Sequence, residues 1–428
     1  MTLKQIENFS HFLNQIHESN NSDSNPEIAA TLQTIKQDIR TKKDQAVIHY
    51  TKKFDQVSAE NFNLKVSKEE IKNAYTKVSN SFIESVKKAK DNIETYHQLQ
   101  TPKNWQKNPE PGVNYGIKYQ AIEKVGLYVP GGRAPYFSTV LMNAIPALVA
   151  GVSQPVITTP PQKDGTVAPQ ILVAADCCGI EEIYKVGGSQ AIFALAYGTE
   201  TIPKVDKIVG PGNIFVDLAK QMVYGTVDID KPAGPSDVLI YVEDSKYASF
   251  AAAEMLAQLE HDPNAIAITL SSKQTVLNKI KDEFQNQIQH LSRKDIIEES
   301  VKNSGLVLVN NQTDAIEKIN EIAAEHLVLL LDNYQDCLDQ VKHGGSIFCG
   351  PYTPVTLGDY FAGPNHVLPT SGTARFASPL GVMDFIKYSS YLSYNQENLK
   401  HCASHLKNLT EMEQFDAHYN AVEQRLKI

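Results

Sequence analysis

DVLIYVEDSKYASFAAAEMLAQLEHDPNAIAITL (237–270) decides how this chain folds. It opens on a short apolar run (237–242), passes through a helical stretch at 246–260 and closes on a second apolar run (265–270). Strand, helix and strand in immediate succession make a parallel pair joined by a right-handed crossover. The same texture continues through GLVLVN (305–310), LVLLL (327–331) and SIFC (346–349), with helices expected at 274–289, 314–325 and 334–342. Toward the N-terminus, QPVITT (154–159), EIYKV (182–186) and DKIV (206–209) alternate with helical segments such as 167–177 and 189–197. The two series share a texture but no sequence repeat. They predict two tandem doubly wound, Rossmann-like α/β units with a cleft between them.

Outside these units the texture differs. The first hundred residues are polar and helical. Ser67-Lys68-Glu69-Glu70 is a capping box, and Ile71, Tyr75, Val78, Phe82, Val86, Ala89, Ile93 and Tyr96 follow in steps of three and four. That spacing predicts one long amphipathic helix. Residues 99–112, with Pro102, Pro109, Pro111 and Gly112, read as a linker. A Gly/Pro-rich loop (350–373) precedes a tail too polar to form its own core. Such a tail lies along the body or reaches a neighbouring subunit. The expected division is a helical N-terminal segment (1–112), a first α/β unit (113–235), a second (236–368) and an extended C-terminal arm (369–428).

The chain has 428 residues, 42% hydrophobic and 21% charged, with a formal net charge of −9. That balance argues against nucleic acid or an anionic membrane surface as the main partner. The run VLMNAIPALVAGV (140–152) is too short to span a bilayer and contains Pro146. The five cysteines, with no C-x-x-C pair, suit a reducing cytoplasm rather than a disulfide framework. The first ten residues carry no apolar signal-peptide core.

Several groups of residues carry chemistry. Glu325-His326 places a carboxylate and an imidazole where a helix runs into a strand, as a general base at a cleft mouth would stand. Taken alone, the pair also fits an ordinary helix-terminal histidine beside an acidic neighbour. The loops YVPGGRAP (128–135), KVGGSQA (185–191) and GPGNIF (210–215) let backbone approach a ligand, and together they suggest a nucleotide cleft. Gln258 and His261, three apart on one helix, share a face that could offer a divalent ion an amide oxygen and an imidazole. His401 and His405, with Cys402 between, form a competing zinc-like spacing in the polar tail. Asp359 and His366 stand in a Gly/Pro-rich loop, and Glu413 and His418 near the C-terminus.

In order along the chain, VGLYVPGG (125–132), VGGSQAI (186–192), VDKIVGPGN (205–213), AGPSDVL (233–239), QLEHDP (258–263), AAEHL (323–327), GDYFAGPNHVLPT (358–370) and Glu413/His418 resemble the histidinol dehydrogenases. The resemblance is strong from about residue 120 to the end and looser before it. It implies a zinc-dependent, NAD-linked four-electron oxidation of L-histidinol to L-histidine through the aldehyde. By the same resemblance the zinc ligands are Gln258, His261, Asp359 and His418, one Zn2+ per subunit. His326 is the general base, and Glu325 activates water for the second step. Ser236, His366 and Glu413 join the metal ligands and His326 in contacting substrate. Tyr128, Gln190 and Asn213 contact NAD. A homodimer with exchanged C-terminal arms is implied, so that Glu413 and His418 serve the partner's site. A relative oxidising another primary alcohol, or a non-catalytic binder on the same scaffold, is the competing expectation. Arg133 carries no assignment.

Overall fold

The structure, a computed structural model, describes residues 3–20, 26–59, 62–131, 134–232 and 234–427. Arg133 lies outside these. Strands β1 (Trp105–Lys107) and β2 (Val113–Ala121) come first and pair antiparallel. Sheet one follows as β3 (Lys124–Tyr128), β4 (Gln154–Thr159), β5 (Ile183–Lys185), β6 (Lys207–Val209) and β7 (Asp228–Ile229). Its order is β5-β4-β3-β6-β7, all parallel. Sheet two holds β8 (Asp237–Val242), β9 (Ile266–Ser271), β10 (Gly305–Leu308), β11 (His326–Leu330) and β12 (Ser346–Cys349) in the order β10-β9-β8-β11-β12, again all parallel. Each sheet therefore runs third, second, first, fourth, fifth from its own first strand, the doubly wound order.

The cause is visible in β8. Every residue from Val238 to Val242 is buried, so an unbroken apolar run can sit between β9 and β11 with helices on both faces. The predicted strands sit within a residue or two of their expected positions. β3, the centre of sheet one, is short and interrupted by Gly126 (KVGLY), which hides it among the apolar runs. Gly126 is needed there, because a Cβ would stand 2.8 Å from Leu195 Cδ1 on the helix above.

Three expectations are corrected. The single helix over 71–96 is two, Lys68–Tyr75 and Asn80–Gln98. The capping box at Ser67 and Glu70 forms, but Ser79 accepts a bond from Phe82 N and starts a new helix. Both helices still bury Ile71, Val86, Ala89 and Ile93 in the core of sheet one. The linker at 99–112 contains β1, and the loop at 350–373 contains a helix, Val355–Tyr360.

The N-terminal helix Pro26–Phe54 lays Leu32, Ile35, Ile39 and Val47 on the other face of sheet one, while Leu3 joins the core of sheet two. In the arm, β13 (Ile386–Tyr394) pairs antiparallel with β2 along its whole length, from Ile386 opposite Ala121 to Tyr394 opposite Val113. Helices Gln396–Met412 and Asp416–Leu426 complete the arm. No helix among the described residues is long and apolar enough to cross a membrane.

The chain leaves sheet one after β7 and enters sheet two at β8 through residues 230–236. The carboxyl edge of sheet one consequently faces the amino edge of sheet two, and both line one cleft. The far, carboxyl edge of sheet two carries polar pairs of its own. Glu243 accepts from Ser272 N at 2.8 Å and from Ser272 Oγ at 2.5 Å, and Asp332 accepts from Lys246 and Tyr247.

Candidate functional site

Sheet two brings a carboxylate and an imidazole to the cleft at its amino edge. Helix Gln312–Ile322 stops at Ala323, whose φ of 52° is left-handed, and β11 begins at His326. Parallel pairing sets His326 beside Val238 of β8, so the start of β11 and the start of β8 interlock. His326 Nδ1 donates to Asp237 O at 3.0 Å, which leaves the Nε2 lone pair open, 3.9 Å from Asp359 Oδ1. Glu325 Oε2 accepts from Ser236 Oγ and from Asp237 N at 3.0 Å, and Glu325 N donates back to Asp237 Oδ2 at 3.2 Å. Burial pushes the Glu325 carboxyl up to about 7, against the pull of those two donors. Burial lifts Asp237 to about 7 as well, with the charge of Glu325 adding to it. A carboxylate held near neutrality exchanges protons with water readily.

Ser236 Oγ accepts from Gln258 Nε2 at 2.7 Å, so a relay runs from Gln258 through Ser236 to Glu325. With its N–H engaged, Gln258 is left with Oε1 as its ligating end. Gln258 lies on helix Ala248–Leu259, but His261 lies beyond the helix C-cap at Glu260. A backbone bond from His261 N to Gln258 O at 3.3 Å keeps the two together, in place of the shared helical face. His261 opens to the cleft yet is hemmed in by protein, and burial, then His326, lowers its imidazole. Asp359 stands near the end of helix Val355–Tyr360, and burial lifts it to about 6. Glu254, one turn before Gln258, accepts from Val355 N at 3.3 Å and so steadies the helix that carries Asp359. His366 Nδ1 donates to Asp359 O at 2.9 Å. Burial drives His366 down to about 4, so it stays neutral with Nε2 as acceptor.

One amide oxygen, one imidazole and one carboxylate fit a divalent ion such as zinc, one donor short of a tetrahedron. Among the described residues of one chain no cluster of three His, Cys, Asp or Glu that could hold a metal is assembled. Glu413 and His418 do not reach the cleft of their own chain. Glu413 caps helix Gln396–Met412, and His418 stacks on Phe415 with ring centroids 4.9 Å apart, both exposed on the arm. The competing His401, Cys402 and His405 lie on helix Gln396–Met412, also away from the cleft.

Sheet one supplies the opposite wall. Tyr128 OH accepts from Gly188 N at 3.1 Å, and burial, with the charge of Asp55, pushes the phenol up to about 12, so it remains a donor. Gln190 is 1% exposed, and its Oε1 has no partner among the described residues. Asn213 Oδ1 caps helix Ile214–Val223 from Phe215 N and Val216 N, leaving its NH2 for a ligand. Gly210, at φ 117°, passes so close to Tyr128 that a Cβ would stand 2.1 Å from its carbonyl oxygen.

Beneath that loop lies a residue the sequence reading missed. Lys220 pairs with Asp230, both side chains at most 2% exposed, and Lys220 Nζ donates to Gly210 O at 3.1 Å. Asp230 Oδ2 accepts from Gly210 N at 2.8 Å. The signal was a lysine in register with Val216, Ala219 and Val223 on the apolar side of its helix. Breaking one half of a buried pair strands the other charge. Lys220→Met or Asp230→Asn alone should lower unfolding stability by about 3–5 kcal/mol. Denaturant midpoints unchanged from the parent protein would refute that reading. Asp237 was missed too, since as the first residue of β8 it looks like strand punctuation.

Comparison with known proteins points one way. A model of the histidinol dehydrogenase family matches residues 18–426. The histidinol dehydrogenase of Clostridium acetobutylicum is 50% identical over 404 residues, covering 94% of this chain and 93% of that protein. That of Methanocaldococcus jannaschii is 48% identical over 402 residues, with 94% and 93% covered. The crystal structure of histidinol dehydrogenase from Elizabethkingia anophelis superposes with a TM-score of 0.93 at 36% identity, covering 100% of this chain and 98% of that one.

Proposed function

We propose, from the premise that this chain belongs to the histidinol dehydrogenase family, an active site made of one subunit's cleft and another subunit's arm. The family's activity, oxidation of histidinol to histidine in histidine biosynthesis, is this chain's activity. The observation that carries the site is the Gln258–Ser236–Glu325 relay beside His326, facing the glycine loops across one cleft.

In this reading Gln258, His261 and Asp359 hold a zinc ion with the partner subunit's His418, one per subunit. Zinc, when bound, orients the substrate's imidazole and amine, and NAD accepts a hydride in each of two oxidations. The assignment of 113–235 to NAD and of 236–368 to the metal and base belongs to the same reading. Tyr128, Gln190 and Asn213 hold the dinucleotide. Ser236, His366 and the partner's Glu413 contact the substrate, an organic cation that suits an acidic cleft.

His326 Nε2 takes the hydroxyl proton as the C–H hydride departs, giving the aldehyde. The Asp237 carbonyl holds the other nitrogen and so keeps Nε2 as the basic one. Glu325 then takes a proton from the water that adds to the aldehyde carbon. The aldehyde oxygen gains a proton to complete the hydrate. His326, its first proton released to water, takes a hydroxyl proton as the second hydride departs, and the acid so formed ionises to the carboxylate of histidine. Retaining the aldehyde between steps keeps a reactive group from side reactions.

Exposed apolar side chains on the arm support a homodimer with exchanged arms. Leu392 is 73% exposed, Leu409 66% and Met412 85%, and Tyr388 on the same arm is exposed as well. The free cysteines suit a reducing cytoplasm. The test is NADH formed per L-histidinol consumed, with zinc and after chelation. Two NADH per histidinol, with histidine as product and activity lost on chelation, is the expected result. Full activity in the metal-free protein would sink the zinc assignment, and a single NADH would sink the two-step role of Glu325.

A further inference from the structure

Doubly wound dinucleotide sites read the ribose with an acid at the end of the second strand. In sheet one that strand is β4, and it is followed by Pro160, Pro161 and Gln162, with no acid. The next acid, Asp164, is engaged within its own turn, its Oδ1 accepting from Thr166 N at 2.9 Å and Oγ1 at 2.7 Å. The place is taken from elsewhere. Asp55, just past helix Pro26–Phe54, lines the same cleft as Tyr128, Pro160 and Gly188.

Asp55 is held firmly. Its N–H donates to Thr51 O at 2.9 Å, and Gln56 follows in a left-handed turn at φ 55°. Ser58 N then donates to Lys163 O at 2.9 Å, tying the turn to the loop after β4. The carboxylate Oδ2 is buried and has no partner among the described residues. Burial lifts this carboxyl to about 6. It also stands at the carboxyl end of a helix, the end that disfavours negative charge. A carboxylate with a buried, unpartnered oxygen at that end is destabilising, and nothing among the described residues compensates it.

We infer that Asp55 is the residue that reads the dinucleotide, accepting hydrogen bonds from the ribose hydroxyls at its adenosine end. The adenosine end is assigned because Asp55 lies on the β4–β5 side of Tyr128. The chain passes to the metal and base residues only after β7, the strand at the opposite edge of the sheet from β5. This inference rests on the proposal that NAD occupies this cleft. A carboxylate there accepts from a 2′-hydroxyl and repels a 2′-phosphate, so Asp55 sets the preference for NAD over NADP. It acts by binding and takes no part in the chemistry at Glu325 and His326.

The test is a cycle of protein and ligand changes on the intact zinc-loaded enzyme. Dissociation constants are measured for NAD, NADP and NAD lacking the adenosine 2′-hydroxyl, with the wild type, Asp55→Asn and Asp55→Ala. The wild type should bind the deoxy analogue about ten-fold or more weaker than NAD. Asp55→Ala should bind NAD that much weaker, no longer distinguish NAD from the deoxy analogue, and bind NADP relatively better. Both variants should melt no lower than the wild type, since they remove an unpaired buried charge, and should keep their affinity for histidinol. Undiminished discrimination in a folded Asp55→Ala protein overturns the inference alone. Failure of the wild type to bind NAD at all would overturn the cofactor reading beneath it.

Discussion

The His326→Asn variant should bind histidinol as the parent does and fail to oxidise it. Asparagine can still donate to the Asp237 carbonyl that holds His326 Nδ1, so the start of β11 keeps its bond. What disappears is the basic Nε2, 3.9 Å from Asp359 Oδ1. Removing a positioned general base lowers turnover by roughly 10²–10⁴-fold. Calorimetry should give an unchanged histidinol dissociation constant, and single-turnover absorbance should show NADH formation slowed by that factor. Turnover within about three-fold of the parent would remove His326 from the chemistry. A loss confined to KM would make it a binding residue. Both rival readings meet the same experiment, because a non-catalytic binder has no turnover to lose and a different alcohol dehydrogenase ignores histidinol.

Two inactive variants, mixed, should recover activity. His261→Ala disables the cleft of its own chain, and His418→Ala disables the arm. If arms are exchanged, a mixed dimer owns one site with both histidines intact and one site with neither. Random reassortment makes half the dimers mixed, and the mixture should reach about a quarter of parental activity. Each variant alone should remain near zero. The geometry motivates the experiment: Gln258, His261 and Asp359 line the cleft, while His418 stands exposed on an arm outside it. A mixture as inactive as its parents, in a sample proved to have exchanged subunits, would place the fourth donor elsewhere.

How much of this was legible in the residues follows from where water is excluded. β9 and β11 are buried along their whole length and β8 from Val238 onward, so their sequences are near-continuous apolar runs. β2 (VNYGIKYQA) and β13 (IKYSSYLSY) form a largely exposed pair, and neither shows a run or a clean alternation. Their pairing is a long-range fact about the arm that local periodicity does not encode. At the site, the junction at Glu325-His326 was legible because a helix pattern meets a strand pattern there. The relay through Ser236 was not, since a serine before a strand is ordinary turn chemistry until the register of β8 against β11 is known. Gln258 gains meaning as a ligand only once its N–H is seen to be engaged by Ser236. Glu413 and His418 came from family resemblance alone, because a residue that serves another subunit leaves no mark on its own chain's folding.

The two sheets share one winding but offer opposite edges to the cleft, and this bears on how the molecule can change over generations. The carboxyl edge of sheet two, where such folds commonly take ligands, carries Glu243 paired with Ser272 and, at the surface, Asp332 paired with Lys246 and Tyr247. Its architecture repeats that of sheet one while its pocket does not. Those pairs sit past the ends of β8 and β11, a strand length from Glu325 and His326 at the amino edge, so exchanging them for other pairs should leave the catalytic side chains in place. An enzyme lineage in need of a second ligand, such as a feedback effector, would find there a strand edge already shaped by topology and occupied only by side chains.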